Sequence, residues 1–205
     1  MKIVELTGYH NTPIHDIKQK ARDEFSGGKK TGYNSTAFKN FYDYIQQHGF
    51  NKVGAGNNAA VYEKPGHPWL FKVFNADPAY LSYYKYCRTS QSNPHVPRVK
   101  GREIKLADNT YCVQIEKLRP FPSTGMKFIE TLQTVAMGLA NPNLYDYDDE
   151  LIDEYKRSFN QLRSKFPQLI TLLEDLIAFK NYTFDLDESN IMMRGPIPVL
   201  TDPFS

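Results

Sequence analysis

Residues 184–203 read Phe-Asp-Leu-Asp-Glu-Ser-Asn-Ile-Met-Met-Arg-Gly-Pro-Ile-Pro-Val-Leu-Thr-Asp-Pro. Two short apolar runs, Ile191-Met192-Met193 and Ile197 to Leu200, flank the turn signal Arg194-Gly195-Pro196, so this stretch predicts a hairpin whose second strand stops at Asp202. Such a hairpin brings Asn190 and Asp202 together although they are twelve residues apart. Their two side-chain oxygens suit a hard cation such as magnesium, with water and phosphate oxygens completing its shell. Asp185, five residues before Asn190, is then placed to accept or orient a hydroxyl proton beside the same phosphate. A capping Asp and a turn Asn are the plain alternative for either residue taken singly.

Upstream of this stretch, Leu169, Leu172, Leu173, Leu176 and Ile177 make a strongly apolar helix beginning after Pro167, and residues 126–139 and 150–165 also have helical spacing. The prolines of Arg119-Pro120-Phe121-Pro122 break the chain before this helical half. On the other side of the break the texture is strand-like. Val99 to Leu106 and Thr110 to Leu118 flank the turn signal Ala107-Asp108-Asn109, and residues 50–75 read as an antiparallel meander through Val53, Val61-Tyr62 and Leu70 to Phe74. Between the two sets lies an aromatic-faced helix, Tyr80 to Cys87, stopped by Pro94 and Pro97. An amphipathic helix precedes the meander, with Phe38, Phe41, Tyr42 and Ile45 on one face and Gly49 as its stop. The expected architecture is α+β in two lobes: 35–118 with an antiparallel sheet plus helix, and 119–205 reduced and mainly helical. Residues 1–34, with Ser26-Gly27-Gly28, are expected to form a flexible or docking extension.

Composition narrows the partners. A net charge of +2 over 205 residues makes no broad field of either sign, so neither nucleic acid nor a membrane surface is indicated. No apolar run approaches the roughly 20 residues of a membrane span, and the N-terminus lacks a signal-peptide core. Cys87 and Cys112 stand far apart, which argues against a disulfide framework or a zinc site and for a reducing cytoplasm. The five histidines have no zinc-ligand spacing, and the acidic run from Asp146 to Glu154 lacks the glycine of a calcium loop.

Two features of the first lobe bear on phosphate. Gly54-Ala55-Gly56-Asn57-Asn58-Ala59-Ala60-Val61 lies between strands, where glycines let backbone amides approach an anion, although a glycine pair is also an ordinary hairpin turn. Lys72 sits inside the apolar strand Leu-Phe-Lys-Val-Phe, a costly place for an ammonium without an anion unless it snorkels from an edge.

Glycine loop, strand lysine, apolar helix, Asp-x-x-x-x-Asn and a late strand-ending Asp, in that order over residues 50–205, resemble the parts of the protein-kinase-like superfamily. Phe184-Asp185 through Asn190-Ile191-Met192 and Thr201-Asp202-Pro203 are similar to motifs of the early serine/threonine protein kinases of Teseptimavirus-type phages. The resemblance implies an enzyme using ATP and Mg2+ to phosphorylate host proteins, or itself, in the bacterial cytoplasm. It implies that Gly54, Gly56, Asn57, Asn58 and Val61 cover the nucleotide and that Lys72 contacts its α and β phosphates. Glu116 and Leu118 would belong to the hinge against adenine, Asp185 would be the catalytic-loop Asp, and Asn190 and Asp202 would hold the metal. Asp187, however, occupies a place where the resemblance expects Lys or His, Ala59 stands for the third loop glycine, and no Glu occurs between Ala79 and Pro97 to pair with Lys72. The resemblance also ends three residues after Asp202, before an activation segment. A pseudokinase that captures a host protein and a small-molecule phosphotransferase therefore remain alternatives.

Overall fold

Alternating apolar residues from Asn51 to Glu116 pair into an antiparallel sheet of five strands in the computed structural model, which describes residues 43–55, 59–75, 77–107, 110–141, 143, 149–179 and 181–204. The strands are β1 (Asn51–Ala55), β2 (Ala59–Glu63), β3 (Trp69–Asn75), β4 (Val99–Ala107) and β5 (Thr110–Glu116), in the spatial order β1-β2-β3-β5-β4. Period-two alternation decides which side chains reach the core. Ala60, Tyr62, Phe71, Val73, Ile104, Leu106 and Cys112 gather on one face with Ile45 and Phe50. Residues 43–47 are helical, as the spacing predicts, and Gly49 follows at φ +81°, a left-handed backbone that glycine adopts without penalty. The extension 1–34 and the start of that helix lie outside the described residues.

The second core is built from helices. After a helix α1 (Pro78–Thr89), the chain runs through the short strand β6 (Arg119–Pro120), then α2 (Met126–Ala140), α3 (Asp149–Lys165) and α4 (Pro167–Ile177), and ends in the hairpin β7 (Ile191–Arg194) and β8 (Ile197–Leu200). Pro167 opens α4 at a position where its missing N–H costs nothing. Leu169, Leu172, Leu173 and Leu176 are then fully buried on one stripe, against Ile129, Leu132 and Val135 of α2. Gly195, at φ +63°, opens the predicted β7–β8 turn, and Ile191 pairs with Leu200 across it.

Two compact units result, and their division departs from the contiguous 35–118 and 119–205 lobes read from sequence. One unit runs to Asp77 and resumes over Lys100–Lys117; the other comprises Pro78–Val99 and Leu118–Ser205. The boundary near Lys117 is as expected, but α1 belongs to the helical unit. The reason lies on its aromatic face: Ala79, Tyr83 and Cys87 pack into the helical core, and the Tyr83 hydroxyl donates to the Leu200 carbonyl at 2.5 Å.

Candidate functional site

In the second unit the hairpin ends where the chemistry-bearing residues begin. Asn190 precedes β7 and Thr201 follows β8, so the Ile191–Leu200 pair leaves them opposite one another. The Thr201 amide and hydroxyl both donate to the Asn190 carbonyl, at 2.8 and 3.0 Å. Farther along, the Asp185 amide donates to the Pro203 carbonyl at 2.9 Å, and Phe184 bridges to Phe204. Asp202 is thus held between two residues that are each bonded to the 185–190 loop. These bonds join the segment that carries Asp185 and Asn190 to the residues on either side of Asp202.

Local bonds also orient the side chains. Asn190 Nδ2 donates to the Asp185 carbonyl at 3.0 Å, so the amide nitrogen is committed and its Oδ1 is the end that remains to meet a cation. Leu186, between them, is buried, and its carbonyl accepts from Gln133 Nε2 at 2.8 Å, tying the loop to α2. Asp185 is half-buried. Among the described residues no cluster of three or more His, Cys, Asp or Glu side chains forms a metal site. Asn190 and Asp202 are two hard oxygen donors, which fits magnesium, an ion that keeps several water or phosphate ligands.

Asp187 has a structural role that its position in the motif did not reveal. Its Oδ1 accepts from the Ser189 amide at 2.7 Å, the Ser189 hydroxyl at 2.6 Å and the Asn190 amide at 3.0 Å. The carboxylate closes the turn that presents Asn190. Asp-x-Ser-Asn was a readable turn signal. The contributions of Thr201 and Gln133 had no such signal, since each depends on a segment distant in sequence.

In the first unit, Lys72 pairs with Val61 on one side and Val113 on the other. It lies on the sheet face opposite Phe71 and Val73 and is only 7% exposed. The edge-strand alternative for Lys72 is removed, because β3 is the central strand of five. Gly54 pairs with Val61 at an irregularity in the β1–β2 ladder. A Cβ there would meet Val61 Cβ at 3.9 Å, an ordinary contact, so packing does not demand this glycine. Glu116 pairs with Trp69 at the end of β3, three residues from Val113, so its side chain takes the face opposite Lys72 and only its backbone is available to a ligand on the lysine face. Leu118 falls in the second unit. Gly56, Asn57 and Asn58 lie outside the described residues.

No protein-family model matches the chain, and a search of curated proteins finds no match.

Proposed function

We propose that the chain is an ATP- and magnesium-dependent phosphotransferase with a protein-kinase-like fold, a serine/threonine protein kinase acting on host proteins in an infected bacterium. The observation that carries this reading is the clasp in which Asn190 bonds to the Asp185 carbonyl while Thr201 bonds to Asn190. It ties the segment carrying Asp185 and Asn190 to the one carrying Asp202, and these residue types, a proton-accepting carboxylate and two oxygen donors, are the set that phosphoryl transfer needs at the acceptor and at the metal. The sheet order β1-β2-β3-β5-β4, with a buried lysine on its central strand, supports the same reading.

In this mechanism Lys72 would meet nucleotide phosphates, and Asn190 Oδ1 and the Asp202 carboxylate would hold magnesium, whose charge would offset that of the phosphates. Asp185 orients the attacking hydroxyl and takes up its proton. A thermal melt tests the nucleotide site: ATP with magnesium is expected to raise the Tm more than ATP alone, and Asp202→Asn to remove the magnesium-dependent part. No shift at millimolar nucleotide would end the proposal.

Asp187 favours a second reading, a pseudokinase that binds nucleotide and captures a host protein without turnover. Its carboxylate closes the turn where the resemblance expects a cation to stabilise transferred phosphate. Transfer of labelled γ-phosphate to protein separates the two.

A further inference from the structure

A groove of about 760 Å³ borders Asp185 in the second unit. Its floor is apolar and buried, made by Ala136 of α2, Leu176 of α4 and Phe204. Its rim is exposed, with the polar Gln133, Asn141 and Thr183 beside the apolar Met137 and Ala140. Among the described residues that line it, Asp185 is the one charged at neutral pH. The volume is far more than one serine or threonine side chain requires and falls in the range of about 300–1,000 Å³ that specific ligand sites occupy.

The geometry points to this groove as the acceptor-binding site, taking a serine- or threonine-containing peptide that carries a bulky apolar residue, Phe or Leu, beside its hydroxyl residue. The inference rests on Asp185 acting at the acceptor hydroxyl. The apolar side chain fills the floor, where burying it stabilises binding, and an extended peptide backbone meets the rim. Gln133 donates its Nε2 to Leu186, which leaves Oε1 to accept a peptide N–H, and the Thr183 hydroxyl and Asn141 amide offer both donors and acceptors. A free apolar alcohol would fill the floor and leave that rim without partners. With no cation among the described lining residues and a carboxylate at its edge, the groove disfavours an acidic residue at the anchor position. In the step itself the acceptor oxygen forms a bond to the γ-phosphorus, the bond from that phosphorus to the β–γ bridging oxygen breaks, and its electron pair leaves on ADP. The hydroxyl proton passes to the Asp185 carboxylate and then to solvent.

The test is a set of synthetic peptides, each with one serine in an Ala/Gly background and with Phe, Leu, Ala or Asp at the neighbouring positions, phosphorylated with MgATP by the full chain. Phe and Leu peptides are expected to exceed the Asp peptide by tenfold or more in kcat/KM, mainly through KM. Ala140→Trp, which fills the groove from its exposed side, is expected to erase that preference. If this variant fails to fold, competition by Phe and Asp peptides with serine replaced by alanine reads the same preference on the unaltered chain. Equal use of all four peptides, or an apolar preference that survives in folded Ala140→Trp, overturns the groove and leaves the transferase reading standing. A folded protein that binds MgATP and phosphorylates no peptide or protein overturns both.

Discussion

The lysine face of the five-stranded sheet and the 185–204 turn hold their charged residues in different ways. Lys72 is fixed by a ladder: its backbone lies between Val61 and Val113, and neither pairing depends on its own side chain. In the turn, the side chains themselves make the structure, because Asp187 Oδ1 accepts three hydrogen bonds and Asn190 donates across the loop it belongs to. A residue held by a ladder can be replaced with little loss of fold. One that builds its own turn cannot, so substitutions in the two regions should separate into changes of ligand affinity and changes of local structure.

The largest expected effect breaks the comparison at its functional end. Asp185 uses its backbone, and not its carboxylate, to bond Pro203 and Asn190, so Asp185→Asn should keep the turn and lower single-turnover phosphotransfer by about 10²–10⁴-fold, with ATP affinity nearly unchanged. Lys72→Ala should weaken ATP affinity and transfer together, since it meets phosphates already present in the bound ground state. Nucleotide dissociation constants and single-turnover rates for both variants check the division; equal losses of binding would refute it.

A core substitution calibrates the fold itself. Leu172→Ala in α4 removes a side chain with no exposure and should cost about 2–5 kcal/mol in denaturant unfolding.

Asp187 sharpens the comparison with a smaller effect. The motif alone suggests that Lys or His there would speed transfer by removing a repelling charge, but either replacement takes away the acceptor on which Ser189 and Asn190 depend. Asp187→Lys should therefore destabilise the protein by about 1 kcal/mol and loosen magnesium binding, while Asp187→Asn, which keeps an Oδ1 acceptor, should do much less. Thermal melts with and without magnesium distinguish them. A faster enzyme of unchanged stability in Asp187→Lys would show that the turn does not rely on this carboxylate.

The smallest effect concerns pH. His95 is buried, and burial lowers its pKa below the ordinary 6.5; the Pro198 carbonyl, 2.7 Å from Nδ1, works the other way, and the Arg194 charge reinforces burial. The folded state thus binds fewer protons at this group than the unfolded chain. Its contribution to stability is present above about pH 6.5 and is lost as the pH falls below that value. Tm measured from pH 8 to 5 should decline at the acid end, and less steeply in His95→Gln.

Much of this molecule was legible in its sequence because the deciding signals were local. Alternation in Trp69–Asn75, the leucine stripe after Pro167 and the Arg194-Gly195-Pro196 turn each needed only neighbours along the chain, and each element formed where its pattern lay. The hairpin also set Thr201, the neighbour of Asp202, opposite Asn190, since pairing Ile191 with Leu200 leaves the residues that flank that pair facing one another. Tertiary structure alone decided what depends on contacts between distant segments. It assigned α1 to the helical unit, because a tyrosine-faced helix is equally amphipathic whichever core receives it, and the bond from Tyr83 to Leu200 spans 117 residues. It placed Lys72 on a central strand, since strand order is a matter of pairing partners. Asp187 lies between the two cases: its partners Ser189 and Asn190 are near neighbours that mark a turn in the sequence, but one acidic side chain satisfies a capping pattern and a catalytic motif equally well until its hydrogen bonds are known.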